Sequence, residues 1–600
     1  MIESSSPASL DLSTLRAAYE RGELMPSTVV HEVYRRIADY NDPATWITLV
    51  EREQALQRAR ELEARAKEMA DLPLYGIPFS VKDSIDVAGL LTTVACPAYA
   101  FRAEQNAEIV NHLLATGAIL IGKNNLDQFA TGLVGVRSPY GTPRNPFDAR
   151  FIPGGSSSGS AVAVSAGLVS FSIGTDTAGS GRVPAGFNNV VGYKPTRGVL
   201  SLKGIVPACR SLDCVSVFAL TCDDAVVAAQ CSRGWTDPRQ LLQSAPPASF
   251  RFGVPSKSEL QTFGNTETGP LFDQAVERLI TLGGKMVEID YAPFRETGKM
   301  LYGGPWVAER LAEFSDFLAR NPDGVHSVTR GIIEGARGYS AVDFFTASYR
   351  LEKLRALARE QWAKVDMILV PTTGTIYTVA EIEANPVELN TNLAYYTNFA
   401  NLLDCCAVAV PSGFRSNGLP FGVTMIAPAK GDRLISTLGS RYQRSVGGQL
   451  GATLVKLATL AEKPVVPATQ KVVRVAVVGA HLSGMPLNYQ LTERKAKRVQ
   501  SVTTQPAYRV YEIPNTTPPK PGLVRCQNGT GVAIEVEVWE MPVEEFGSFI
   551  SLMDAPLSIG TVELSDGTSV KGFLCESYAV ENARDISSFG GWRPFLKSRK

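Results

Sequence analysis

Residues 153–167 read PGGSSSGSAVAVSAG, a Gly/Ser-rich loop that opens straight into an Ala/Val run. The stretch lies inside a longer span, between Arg150 and Asp176, that carries no charged residue. Such a length is enough to cross a bilayer. Gly, Ser and Pro break it, however, and Leu and Ile are scarce, so it reads as buried protein interior. Around it, short apolar runs (YGIPFSVKD, GAILIGKNN, GLVSFSIGTD, KMVEIDY, VDMILVPTT, AVAVPSGF, FGVTMIAP) alternate with helical patterns such as AEIVNHLLATG and DQAVERLITLGG. Strands alternating with helices predict an α/β fold with helices flanking a sheet. Upstream, residues 11–70 carry apolar residues at three- and four-residue spacings and read as helical, the segment 51–70 as a solvated surface helix.

Further along the chain, LGATLVKLATLA at 450–461 is helix-like, and AEKPVVPATQKV at 461–472 has two prolines and no apolar periodicity. Beyond it the texture turns strand-rich, with a hairpin signal at Ser565-Asp566-Gly567 and a Pro-rich loop at 513–522. The expected organisation is a domain over 1–460 with an N-terminal helical segment 1–70, a linker at 461–472 and a small β-rich domain over 473–600.

Composition narrows the function classes. The 600 residues are 44% hydrophobic and 20% charged, which excludes a disordered or fibrous chain. Lys plus Arg and Asp plus Glu number 59 each, so no global charge draws the chain to nucleic acid or to an anionic membrane. Nine cysteines, an odd number with no CxxC pair, argue for reduced buried thiols and against disulfides or zinc. The N-terminus lacks a basic start followed by an apolar stretch, and the expectation is a soluble cytoplasmic protein with no cofactor and no metal.

Three segments carry chemistry. GIPFSVKDSID at 76–86 is a strand-like run ending on Lys82, PGGSSSGSAVAVSAG holds Ser156, and GTDTAGSGRVPA at 174–185 is a Gly-rich turn holding Ser180. A lysine on a strand usually sits at an edge with its amine in water. Buried, it would lose several pKa units and become a neutral base. Serine needs such a base to become a nucleophile, and the N–H groups of a Gly-rich turn can converge on one oxyanion. The four histidines, His31, His112, His326 and His481, all lie outside the Gly/Ser loops, so a Ser-His-Asp triad is poorly supplied. GGSSSGS also fails the phosphate-loop pattern G-x-x-x-x-G-K-[ST]. Asp176 and Arg182 flank the nucleophile turn and are expected to pair structurally.

These motifs, in this order, resemble the amidase signature family, whose fold is a mixed sheet flanked by helices. The resemblance covers most of residues 70–450. It implies a Ser-cisSer-Lys triad at Ser180, Ser156 and Lys82, with a cis peptide before Ser156. It also implies an oxyanion hole from the N–H groups of Thr177, Ala178, Gly179 and Ser180. Two departures, Ala178-Gly179-Ser180 in place of Gly-Gly-Ser and DQFATGL at 127–133, suggest a specialised substrate.

A second cluster bears on that substrate. MLYGGPWVAERLAEF at 300–314 sets Tyr302 and Arg310 eight residues apart, about two helical turns, so that one helix face can carry both. A guanidinium fork with a phenol suits a carboxylate; an ordinary surface helix fits the pair as well. YGGPWVAER and DQFATGLVGVRSPYGTPRNPF at 127–147 resemble the allophanate hydrolase group of the family. VAVVGAHLSGMPLN at 475–488 and the strand-rich runs after it resemble that group's C-terminal domain, a γ-glutamyl cyclotransferase-like barrel. The resemblance implies hydrolysis of allophanate to ammonia and N-carboxycarbamate, with Tyr302, Arg310 and the backbone of Gly132 binding the substrate. It further implies decarboxylation of that product with His481 as the catalytic group, and a homodimer working alongside urea carboxylase or cyanurate and biuret hydrolases. A broad-specificity amidase and a tRNA-linked amidotransferase component remain the alternatives.

Overall fold

The apolar runs assemble into one large mixed sheet in the computed structural model, which describes residues 7–234, 247, 249–457, 472–526 and 529–599. Its strands are β1 (Trp46–Leu49), β2 (Pro78–Lys82), β3 (Ile119–Asn124), β4 (Phe171–Asp176), β5 (Val191–Lys194) and β6 (Cys214–Ala219), followed by β7 (Phe250–Pro255), β8 (Gly284–Ile289), β9 (Met367–Pro371), β10 (Cys405–Phe414) and β11 (Pro420–Pro428). They line up in the order β1-β3-β2-β4-β6-β5-β10-β11-β9-β7-β8. Every residue of β2, β4, β5, β6 and β9 is buried. Strands covered on both faces need no polar alternation, which is why β9 (MILVP) reads as a continuous apolar run.

β2 runs parallel to both β3 and β4, with Phe79 opposite Phe171 and Val81 opposite Ile173. The carboxyl ends of β2 and β4 therefore emerge side by side, the place where sites form in such sheets. Helix Ser158–Ser165 is buried along its whole length and packs against β4, carrying the uncharged span into the core as its composition predicts. The main apolar cluster runs from Leu10 through β2, β4 and β6 to Leu450.

Several elements differ from expectation. Helix Arg52–Ala64 is not wholly solvated, because Ala55, Leu56, Ala59 and Leu62 form a buried face beneath its charges. Residues 450–457 are not helical: Gly451 turns at φ +57° and the chain closes a short hairpin, Gly448–Gln449 against Lys456–Leu457. A side chain at Gly451 would meet the Ser165 carbonyl at 2.5 Å, so the turn is locked by close approach. The linker expected at 461–472 lies, apart from Val472, outside the described residues.

The chain divides into two compact units, Met1–Ala461 and Glu462–Lys600. The second has a five-stranded sheet in the order Lys497–Thr503, Glu535–Pro542, Val472–Val477, Ser569–Cys575, Leu557–Glu563. A three-stranded sheet of Lys520–Arg525, Tyr508–Ile513 and Arg584–Asp585 accompanies it. Glu563 pairs with Ser569 across the turn that Asp566-Gly567 signals. This unit has its own core, including Val475, Tyr508, Val538, Trp539 and Trp592. Among the described residues, no helix is long and apolar enough to cross a membrane, and no group of three or more His, Cys, Asp or Glu side chains gathers as a metal site.

Candidate active site

Lys82 ends β2 with its side chain fully buried. Nζ donates to Ser156 Oγ at 2.7 Å and to Thr175 Oγ1 at 2.8 Å, and Ser156 Oγ donates to Ser180 Oγ at 2.9 Å. An unbroken path of hydrogen bonds thus joins the amine to both serines. The peptide between Gly155 and Ser156 is cis. Burial pulls the Lys82 ammonium down from its usual 10.5 to about 7; Asp127, Asp213 and Asp176 oppose the fall and Arg310 adds to it. The edge-lysine reading therefore fails, because β2 lies between β3 and β4 and gives its last side chain no route to water.

Asp176 ends β4 and organises the turn after it. Its carboxylate accepts the N–H groups of Gly179 at 2.9 Å and Gly181 at 3.0 Å, and pairs with Arg182 at 2.9 Å with both side chains fully buried. Burial disfavours that charge, but Arg182 outweighs it and holds the carboxyl below its usual range. The expected structural pairing of Asp176 with Arg182 is present. Gly179 sits at φ +137°, where a Cβ would lie 2.5 Å from Thr397 Oγ1, so this position needs glycine. One expectation is corrected. The Gly179 N–H points into the Asp176 carboxylate, so it is spent inside the turn and is not free for an oxyanion. The N–H groups of Ala178 and Ser180 meet no acceptor among the described residues. Thr177 donates its hydroxyl to Asp213 at 2.5 Å, and Asp213 also accepts the N–H groups of Ala208 and Cys209.

Arg310 is 1% exposed. Nε donates to Thr131 Oγ1 at 3.2 Å and Nη2 to Tyr302 Oη at 3.0 Å. Nη1 meets no acceptor and the guanidinium forms no ion pair among the described residues. Arg310 lies within electrostatic reach of Lys82, and Tyr302 packs in the apolar cluster that includes Ala178 of the nucleophile turn. The predicted pair is therefore together, its tyrosine within one apolar cluster with Ala178, but not on one helix face. Helix Val307–Arg320 begins only after Gly303-Gly304-Pro305, and Tyr302 reaches Arg310 from the turn before it. Gly132, at φ +151°, is explained locally, since a Cβ there would stand 2.7 Å from Asp127 Oδ2.

Several partners escape sequence reasoning. Thr175 and Thr131, which no motif singled out, bond Lys82 and Arg310. Asp127 accepts the N–H groups of Val134, Gly135 and Arg137, shaping the 127–137 loop. Arg137, 1% exposed, donates Nη1 to the Thr131 carbonyl. The visible signal was the DQFATGL segment itself, whose departures fall on these contacts.

In the second unit, His481 Nε2 lies 2.8 Å from Gln490 Oε1, and its ring stacks on Phe573 at 5.1 Å and meets Phe549 edge-on at 5.5 Å. It lines a cavity of about 160 Å³ with Lys520, Thr517, Asp554 and the two phenylalanines. Burial lowers its pKa, the Gln490 bond opposes that, and Lys520 adds to the fall.

The Amidase family matches residues 28–435, and the family described as Allophanate hydrolase C-terminal domain matches residues 473–597. The urea amidolyase of Saccharomyces cerevisiae is 41% identical over 579 residues, covering 92% of this chain and 31% of that protein. The chain thus spans about a third of the length of the first curated relatives it matches. A glutamyl-tRNA(Gln) amidotransferase component of Protochlamydia amoebophila is 32% identical over 72% of this chain and 95% of its own. Among solved structures, Kluyveromyces lactis allophanate hydrolase superposes with a TM-score of 0.73 at 38% identity, over 98% of this chain and 99% of that one.

Proposed function

Because the chain belongs to the amidase family and joins its hydrolase fold to an allophanate hydrolase C-terminal domain, we propose that it cleaves the terminal amide of allophanate, giving ammonia and N-carboxycarbamate. The observation that carries the substrate is Arg310. A guanidinium is always charged, and burying one without a carboxylate partner is costly. An anionic substrate held by the free Nη1 and by Tyr302 adds the direct partner that Asp213 and Glu309, acting from farther off, do not provide. The Ser180–Ser156–Lys82 path lies beside it, so an amide whose other end is a carboxylate is presented to the nucleophile.

With the amine neutral, the 2.7 Å contact runs from the Ser156 hydroxyl to the Nζ lone pair. Ser180 attacks the amide carbonyl while its proton passes through Ser156 to Lys82. The N–H groups of Ala178, Ser180 and Thr177 receive the developing oxyanion, and each such donor is worth roughly 10²–10³ in kcat. The proton held on Lys82 returns through Ser156 to the departing ammonia. Water then reverses the sequence and frees Ser180. No step calls on a metal or cofactor.

In the second unit, His481 in its cavity is suited to passing a proton to the nitrogen of N-carboxycarbamate as carbon dioxide departs. The reading carries with it a cytoplasmic homodimer fed by urea carboxylase or by cyanurate and biuret hydrolases. A broad-specificity amidase has no use for a buried unpaired guanidinium, and an amidotransferase component has none for residues 473–597.

Replacing Arg310 by Leu tests the substrate. Two charged hydrogen bonds at about 1.5–3 kcal/mol each predict a fall in kcat/KM on allophanate of roughly 10²-fold or more. Turnover of a small neutral amide should hold steady. An unchanged kcat/KM on allophanate would refute anionic recognition.

A further inference from the structure

The cavity around His481 holds a second charged group, Lys520, to which the proton transfer assigns no role. Lys520 lines it, and a smaller adjoining cavity is lined by Lys520, His481, Pro521 and Phe573 together. The lysine's electrostatic effect on His481 places the two side chains in one field. Among the described residues, Lys520 forms no ion pair, and its backbone is fixed by donation to Thr516 Oγ1 at 2.9 Å. Asp554 is the acid on the lining, and it makes no ion pair with Lys520 either. The rest of the wall is largely apolar: Phe549, Phe573, Leu557 and Met553. The cavity therefore brings one cation that has no ion pair among the described residues and one imidazole together with Asp554 and the Phe549 and Phe573 rings, and its size suits a molecule of a few heavy atoms.

We propose that Lys520 is the anchor for a small dicarboxylate in this cavity, holding the carboxylate that is retained while the one that leaves lies against the Phe549 and Phe573 rings. This rests on the reading that the second unit decarboxylates the amidase product. The division of labour follows from charge. A carboxylate becoming neutral carbon dioxide is destabilised by an apolar wall and released by it, whereas one that stays charged needs a fixed cation. For ⁻O₂C–NH–CO₂⁻, one C–N bond breaks and its electron pair stays on nitrogen. A proton from the His481 imidazolium goes to that nitrogen, and carbon dioxide and carbamate leave. His481 regains its proton from water. With Nε2 donating to Gln490 Oε1 at 2.8 Å, Nδ1 is the ring nitrogen left to pass the proton. Before the dianion binds, burial first and the field of Lys520 second hold the imidazole toward its neutral form. Once bound, the dianion cancels that field and draws the proton on.

The test follows ammonia and carbon dioxide together on the full chain with allophanate as probe. Amide cleavage releases the first ammonia, and the second appears only after decarboxylation. Lys520→Met should leave the first ammonia within twofold of the parent and delay the second, with its carbon dioxide, at least tenfold. Lys520→Arg should restore the coupling, because the charge rather than the stem is needed. His481→Asn is measured alongside. If Lys520→Met releases both equivalents without delay while His481→Asn lags, Lys520 is no anchor and the catalytic reading of the unit survives. If neither variant lags, the catalytic reading itself falls and takes the anchor with it.

Discussion

Arg310 is the residue whose environment is hardest to explain by folding alone. A charge 1% exposed that forms no ion pair among the described residues, with Asp213 and Glu309 acting on it only from farther off, weakens the fold unless something else uses it. Its removal should therefore cost activity and not stability: Arg310→Leu is expected to keep or raise Tm in a thermal melt, even as hydrolysis of allophanate collapses. A large fall in Tm would mean that the guanidinium is structural. Lys82 and the serines are a different case, since hydrogen bonds join them in one path. Lys82→Ala, Ser156→Ala and Ser180→Ala should each lower kcat by about 10³-fold or more, and the double variant Lys82→Ala/Ser180→Ala should be little worse than Ser180→Ala. Steady-state kinetics on the set checks this, and additive losses would show that the groups work independently. The hydrogen-bonded grouping of Lys82, Ser156 and Ser180 was legible in the sequence because their motifs are rigid in spacing. Thr175 and Thr131 were not, because a threonine that donates or accepts one buried hydrogen bond looks the same in sequence as any strand former.

The nucleophile turn works as a unit set by the ends of two strands. β4 delivers Asp176, and that carboxylate holds Gly179, Gly181 and Arg182 at once. Breaking a buried pair by removing one partner costs about 3–5 kcal/mol, so Arg182→Leu should lower the denaturation free energy by that amount in urea. A loss below about 1 kcal/mol would mean that the pair is not what fixes the turn. Most of the sheet was legible for a related reason: strands covered on both faces, such as β9 (MILVP) and the first six residues of β10 (CCAVAV), are unbroken apolar runs. β1 and β5, each of four residues, fell below that signal, and β6 (CVSVFA) and β7 (FRFGVP) were not among the predicted runs either. The Tyr302–Arg310 pairing was legible as a pair but not as geometry. Eight residues imply a shared helix face only if the helix is continuous, and Gly303-Gly304-Pro305 starts it late.

At the scale of the whole chain, two units with separate cores match two families and carry two candidate sites. A chain shortened to residues 1–460 should keep allophanate-dependent release of the first ammonia within a fewfold of the parent and lose the prompt second equivalent. Loss of the first would tie the amidase site to the second unit. What joins both halves of the account is a neutral amine at the centre of the larger unit. Lys82 is a base only when deprotonated, and burial brings that change from 10.5 to about 7. Below this value the protonated form dominates, so activity must fall as pH falls. The most direct measurement is kcat/KM on allophanate from pH 5 to 9. A tenfold drop per pH unit on the acid side, beginning near 7, is the predicted result. A rate that stays level down to pH 5 would contradict Lys82 as the base.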